Sequence, residues 1–345
     1  MARKSLSFFC NFSLMGLSPS RSLGFQSLAL SVIGYLCAAL ASCATKPAEI
    51  NVPLSSWPGY EYFYLAESRG LAERHGLKLT TTQFADPQEI VHSYLRGEVD
   101  VAQLTTVELV DICARQPKRC PVVVLILDES RGGDIIAARN GFDSLHALAG
   151  KSIGTTFSTL GPYFVSRALQ ISGLSLDQVE IRNMPMAEMP AALATGIIDA
   201  VAFYPPFSDF AARDGHSRVL FDSRQTPGEI FDILVVDPSY LSGNSVALAK
   251  LVKVWQEAHQ LAQTHPKQSI ELMANRQKVS VNEFQQAERG LVYYGLVEQK
   301  AMLAPGGVME RNLKSVQKVQ QELELVRIGA KLPSVTNRLV QAALR

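Results

Sequence analysis

The sequence predicts an α/β fold of two similar lobes, with a discontinuous first lobe and a helical C-terminal extension. The first reason is a pattern that occurs twice, RGEVDVAQLTTVEL from Arg96 and TGIIDAVAFYPPF from Thr195. Each copy reads as a helix end, a Gly, an Asp, a short apolar strand and a new helix start. Gly97 and Gly196 lie 99 positions apart, as do Asp100 and Asp199. A β-α-β unit built twice gives two α/β lobes, and the cleft between lobes is where small ligands bind. The second reason is a pair of apolar segments, IIAAR (135–139) and FDILVVD (231–237), placed to carry the chain into a second lobe and back. The third is the mostly helical pattern from Ser245 onward.

The elements follow in order. Ile50–Leu54 is a strand and Trp57-Pro58-Gly59 a turn. Tyr60–His75 is helical, with Phe63, Leu65 and Leu71 spaced to bury one face and Gly76 as C-cap. Strand Leu77–Phe84 leads to helix Pro87–Arg96, opened by Asp86-Pro87. Strand Val99–Leu104 runs into helix Thr106–Arg115, with Thr105 as N-cap and Glu108 as its capping-box partner. PVVVLIL (121–127) is the continuous β-branched run of a strand in a buried parallel sheet. DESRGGD (128–134) breaks it. In the second lobe, LAGKSIGT gives a turn and strand, and LGPYFVSRALQISGL a helix ending at Gly173. Val179–Asn183 is a strand, Met189-Pro190 a helix start and Val219–Ser223 another strand. Helices are expected over Val246–Thr264, Pro266–Asn275, Val281–Arg289, Leu313–Ile328 and Val335–Leu344. Two crossings assign 50–133 and 232–345 to lobe 1 and 134–231 to lobe 2, with hinge segments near Asp134–Arg139 and Thr226–Asp232.

The N-terminus reads as a signal peptide over residues 1–42. Arg3, Lys4 and Arg21 are basic, no acid precedes Glu49, and the apolar stretch Leu28–Leu40 is too short to span a bilayer comfortably. Leu40-Ala41-Ser42-Cys43 resembles a bacterial lipobox, which implies that Cys43 is lipidated and that residues 43–49 are a tether. The other reading is an ordinary signal cut near Ala41 or Ala44. A lipid anchor tethers a protein to a membrane without spanning it. The chain has 33 basic and 32 acidic residues; the signal removes three of the bases, leaving a mature net charge of −2. That is no electrostatic footprint for nucleic acid.

Cys10 and Cys37 leave with the signal, so Cys113 and Cys120 remain, in CARQPKRC. An even, closely spaced pair reads as a disulfide in an oxidising compartment, with two free thiols as the alternative. The six His show no metal-ligand spacing, and neither a GxSxG elbow nor a phosphate loop occurs. No cofactor, metal or catalytic residue is expected, and the chain does not read as an enzyme.

Several segments together resemble a known family. SSWPGYEYFYLAESRGLAERHGL, GEVDVA, LDESRGGD, LAGKSIGTTFSTLGPYF and VLFDS with the later DILVV are similar to the solute-binding proteins of bacterial ABC importers for nitrate, sulfonates, taurine and thiamin-pyrimidine precursors. The resemblance covers roughly residues 49–275. It implies the type II periplasmic-binding-protein fold and an extracytoplasmic monomer. Such a protein passes a small-molecule ligand to a permease and its ATPase. Eukaryotic thiamin-pyrimidine synthases share the fold but carry a Cys-rich motif that two cysteines do not match. A sensory accessory protein or such an enzyme is the alternative.

In that family the ligand contacts lie on loops that end the strands. Five loops match here. In the first, Trp57 stacks on a ligand or ties the loop into the core, and Tyr60 adjoins it. In the second, Thr105 and Thr106 offer hydroxyls and helix N-terminal amides to an anion, or simply cap the helix. In the third, at least one of Asp128, Glu129 and Asp134 receives an amine, an amidine or a protonated ring nitrogen, or the three serve as a cap, an ion-pair partner and, for Asp134, a hinge residue. In the fourth, Ser158, Thr159 and Tyr163 form another helix-start anion site or plain caps. In the fifth, Tyr204 forms an aromatic wall or a hinge contact. Asp100 and Asp199 read as structural, bonding the backbone of their own turns.

Overall fold

A computed structural model describes residues 47–157, 160–213 and 217–345. The stretch expected to be a signal peptide, with Cys43, and the Ser158-Thr159 pair lie outside them. The described chain enters as β1 (Ala48–Leu54). After the Trp57 loop and one 3-10 turn comes α1 (Glu61–Ser68). The helix expected to reach His75 stops where Arg69-Gly70 turns the chain, and a second 3-10 turn, Glu73–His75, precedes β2 (Leu77–Gln83). β1 and β2 pair in parallel, Ala48 opposite Leu77.

Asp86 opens α2 (Pro87–Arg96), its carboxylate accepting the Gln88 N–H at 2.9 Å. β3 (Val101–Thr105) passes directly into α3 (Thr106–Arg115). Cys113, near the end of α3, is joined to Cys120 by a disulfide, and β4 (Val122–Ser130) follows.

Next come β5 (Ile135–Arg139), β6 (Ser152–Thr155), α4 (Gly161–Ile171), β7 (Glu180–Asn183), α5 (Met189–Ala194), β8 (Ala200–Phe203), α6 (Phe207–Arg213) and β9 (Ser217–Asp222). Their strands form one sheet in the order β7-β6-β8-β5-β9. β10 (Phe231–Val236) leaves that sheet, and the rest is α7 (Pro238–Thr264), α8 (Pro266–Gln277), α9 (Val281–Glu288), β11 (Leu291–Val292), α10 (Leu296–Met302), α11 (Val308–Glu322), β12 (Ser334–Val335) and α12 (Arg338–Ala343). The earlier sheet has the order β11-β4-β10-β3, with β12 beside β4.

The parallel environment expected for β4 is corrected by this topology. β4 runs antiparallel to both β10 and β11 and parallel only to β12. A continuous apolar run reports burial on both faces, not the direction of its neighbours. β10 enters between β3 and β4 after the excursion through the other sheet, and so runs against both. β4 also continues through Asp128–Ser130, where the sequence suggested a break. The C-terminal helices are shifted too. α7 begins at Pro238, capped by Asp237, and runs through a non-helical Asn244. α11 ends at Glu322, short of the expected Ile328.

The repeated pattern is structural in both copies. Gly97 (φ 78°) and Gly196 (φ 73°) follow the ends of α2 and α5 in the left-handed conformation, which a β-carbon would strain. The repeated acids reach beyond their own turns. Asp199 accepts from the Ser152 N–H and hydroxyl at 3.1 Å and from Arg139 at 2.7 Å, tying the start of β8 to β6 and β5. Asp100 faces Arg119 at 3.6 Å.

Candidate ligand-binding site

The site grows out of strand register. Asp232 at the start of β10 lies opposite Thr105 on β3 and opposite Asp128 on β4, so three polar residues stand in a row across the sheet. The Trp57 loop is fastened to this row. Tyr60 donates its hydroxyl to Asp232 Oδ1 at 2.5 Å, and Trp57 Nε1–H donates to the Asp128 carboxylate at 3.1–3.2 Å. The fit leaves no room at Gly59, where a β-carbon would sit 1.9 Å from Asp128 Oδ2. Thr105 caps α3: its hydroxyl accepts the Glu108 N–H at 3.2 Å, and Glu108 accepts the Thr105 N–H at 2.7 Å.

In front of this row is a cavity of about 40 Å³, room for a few water-sized groups. Trp57, Tyr60, Gln103, Thr105, Glu108 and Asp232 line it from the first sheet and its helices. Leu160, Phe164, Phe203 and Tyr204 line it from the second, with Asp134 on the crossing segment between the sheets. Trp57 meets Tyr204 edge to face, with ring centroids 5.3 Å apart.

The electrostatics are one-sided. Burial pushes the Asp134 carboxyl up to about 7. Burial likewise pushes Glu108 up to about 7, against the opposing effect of the Thr105 N–H. Asp128 and Asp232 are adjacent and buried. Burial raises both, and the negative charge of Asp128 raises Asp232 further. Two acceptors in the lining residues are buried without a hydrogen-bond partner, Asp134 Oδ2 and Gln103 Oε1. The orientation of Gln103 is fixed chemically, because its Nε2 donates to the Pro53 carbonyl at 3.1 Å and a carbonyl only accepts.

Of the residues singled out in the sequence, Trp57, Tyr60, Thr105, Asp134 and Tyr204 line the cavity. Thr106, Asp128, Glu129 and Tyr163 are buried but do not line it. Asp128 sits behind Trp57 as its hydrogen-bond acceptor. Burial raises Glu129, but bonds from Arg131 at 2.7 Å, from Tyr294 and from the Gly228 N–H at 2.8 Å outweigh it and hold the carboxyl below its usual range. Tyr163 donates to Glu229 at 3.1 Å, beside Arg167. Ser158, Thr159 and the lipidation candidate Cys43 lie outside the described residues.

Among the polar lining residues, sequence reasoning missed Ser55, Gln103, Glu108 and Asp232 as site residues. Two left a readable signal. Gln103 is a lone amide inside the apolar strand VAQLT, and Asp232 a lone acid inside FDILVV. Buried polar residues in apolar strands call for a partner or a ligand.

The comparisons agree with this architecture. A binding protein of Brucella abortus is 24% identical over 255 residues, covering 73% of this chain and 78% of that protein. The taurine-binding periplasmic protein of Escherichia coli is 26% identical over 200 residues, 57% of this chain and 61% of that one. Among solved structures, the periplasmic aliphatic sulphonate binding protein of Escherichia coli superimposes with a TM-score of 0.68 at 17% identity, over 87% of this chain and all of that one. The desulfurization enzyme DSZB has the same fold, with a TM-score of 0.61 at 14% identity over 86% of this chain and 99% of that one. The fold is therefore the α/β fold of periplasmic binding proteins. The family model described as NMT1/THI5 like matches residues 57–269, and this chain belongs to that family.

Proposed function

We propose that the protein is the solute-binding component of an ABC importer, capturing one small polar molecule by closure of two lobes. The observation that carries this reading is the cavity whose walls come from both sheets, so that a ligand touching both favours the closed arrangement. The lobes are residues 50–133 with 232–345, and 134–231, hinged near Asp134–Arg139 and Thr226–Asp232. Relatives named for taurine and aliphatic sulfonates support the transport role. The protein acts as a monomer outside the cytoplasm, anchored through lipid on Cys43 after removal of residues 1–42. It hands its ligand to a permease and the attached ATPase.

A thermal-shift screen of the purified protein against nitrate, sulfonates, taurine and aminopyrimidines tests the reading. Binding raises the unfolding temperature, and small-angle scattering detects compaction with the same ligand. No stabilisation and no compaction with any small molecule counts against it. Because an enzyme shares the fold, the bound molecule is also recovered and analysed. A receptor returns it unchanged, whereas turnover points to the enzyme reading.

A further inference from the structure

Resting on the receptor reading, we infer that the ligand is a small organic cation with several N–H donors, of the amidine, guanidine or primary amine class, and not an inorganic or sulfonate anion. The first ground is charge. Among the described residues, the cavity lining includes Glu108, Asp134 and Asp232 but no Lys, Arg or His. An anion placed there finds no cationic side chain and is repelled by each of the three carboxyl groups that ionises, whereas a cation stabilises the ionised forms in a poorly solvated site where Coulomb terms are large.

The second ground is hydrogen-bond bookkeeping, which for Gln103 is independent of charge and for Asp134 applies to the ionised carboxylate. Asp134 Oδ2 and Gln103 Oε1 are acceptors, both residues are at most 4% exposed, and neither atom has a partner. A buried acceptor left unmade costs about 1–3 kcal/mol. A ligand that donates two or more N–H groups removes that cost, while one that only accepts cannot. Two donors of the lining are engaged within the protein. Tyr60 O–H goes to Asp232 and Trp57 N–H to Asp128. The start of α3 is closed by the Thr105–Glu108 exchange, which takes an amide that an anion would use. Trp57, Phe203 and Tyr204 in the lining provide aromatic surface suited to a cation.

The experiment is isothermal titration calorimetry on the purified protein at fixed pH and ionic strength, with methylguanidinium and acetamidinium as cations and ethanesulfonate and nitrate as anions. Tetramethylammonium serves as a cation without N–H donors. The expected result is that the N–H cations bind at least tenfold tighter than the anions and than tetramethylammonium. Gln103→Leu and Asp134→Asn each weaken the cations tenfold or more, with unfolding curves confirming that both variants are folded. Tighter binding of ethanesulfonate or nitrate overturns the inference and leaves the receptor reading standing. Cation binding unchanged within twofold in both variants also overturns it. If no probe binds, the inference is overturned, while the receptor reading is judged separately by the thermal-shift and scattering screen.

Discussion

Replacing Asp134 with Asn is expected to make the ligand-free protein more stable at pH 8 and much less so at pH 5. Asp134 is 4% exposed, and burial pushes its carboxyl up to about 7 from an ordinary 3.8. An unfolded chain loses this proton near pH 4, whereas the folded protein keeps it to about pH 7. Between those values the folded state binds more protons, so stability falls as pH rises. The contribution is fully present below pH 4 and lost by the time pH has passed through about 7. Roughly three pH units at about 1.4 kcal/mol each give a loss of about 4 kcal/mol by pH 8, as an upper figure. Asn cannot ionise and escapes that loss. It also removes a charge facing Glu108, Asp128 and Asp232, each of which Asp134 pushes upward. Asn matches Asp in size, so the change opens no cavity, and its amide adds a donor among acceptors. The expected difference is about 2–4 kcal/mol in favour of the variant at pH 8 and about 1–2 kcal/mol at pH 5. Urea unfolding followed by tryptophan fluorescence at the two pH values measures it. An equal difference at both, or a variant less stable at pH 8, would refute the assignment of Asp134 as a buried, ionisation-strained carboxyl. A more stable variant with weaker ligand binding is the usual signature of a binding residue.

Three further outcomes are expected. Gly59→Ala places a methyl 1.9 Å from Asp128 Oδ2. It costs about 2–3 kcal/mol by overpacking, and combining it with Asp128→Ala costs less than the sum of the two changes in urea unfolding. Reducing the Cys113–Cys120 disulfide, which closes a short loop with a separation of 7, lowers stability by about 2–3 kcal/mol, read from unfolding with and without reductant. Methylguanidinium affinity rises from pH 6 to pH 8, because Asp134 and Glu108 give up protons near 7 to receive a cation. Calorimetry in buffers of different ionisation enthalpy measures the released proton, and affinity falling over that range contradicts it.

The parts of the fold that local chemistry dictates were legible in the sequence. Asp86 before Pro87, and Thr105 with Glu108, mark where α2 and α3 begin, since a helix start needs its own N–H groups satisfied nearby. The direction of β4 was not legible. VVVLIL reports burial, and its antiparallel partner β10 arrives from more than a hundred residues later in the chain. The site divides in the same way. Trp57, Tyr60, Thr105 and Tyr204 sit at strand-to-helix turns that a sequence exposes. Asp232 became a site residue only through a register that sets it opposite Thr105 and Asp128. Tyr163 shares the first turn of α4 with residues that do line the cavity, but Glu229 and Arg167 hold its hydroxyl elsewhere.

The most direct measurement is the mass of the small molecule that the protein retains when purified from its host and opened under denaturing conditions. A donor-hungry site between two sheets retains one organic molecule per chain, bearing an amine, amidine or guanidine nitrogen. Recovery of a sulfonate or another anion without such a nitrogen contradicts the cation-binding site.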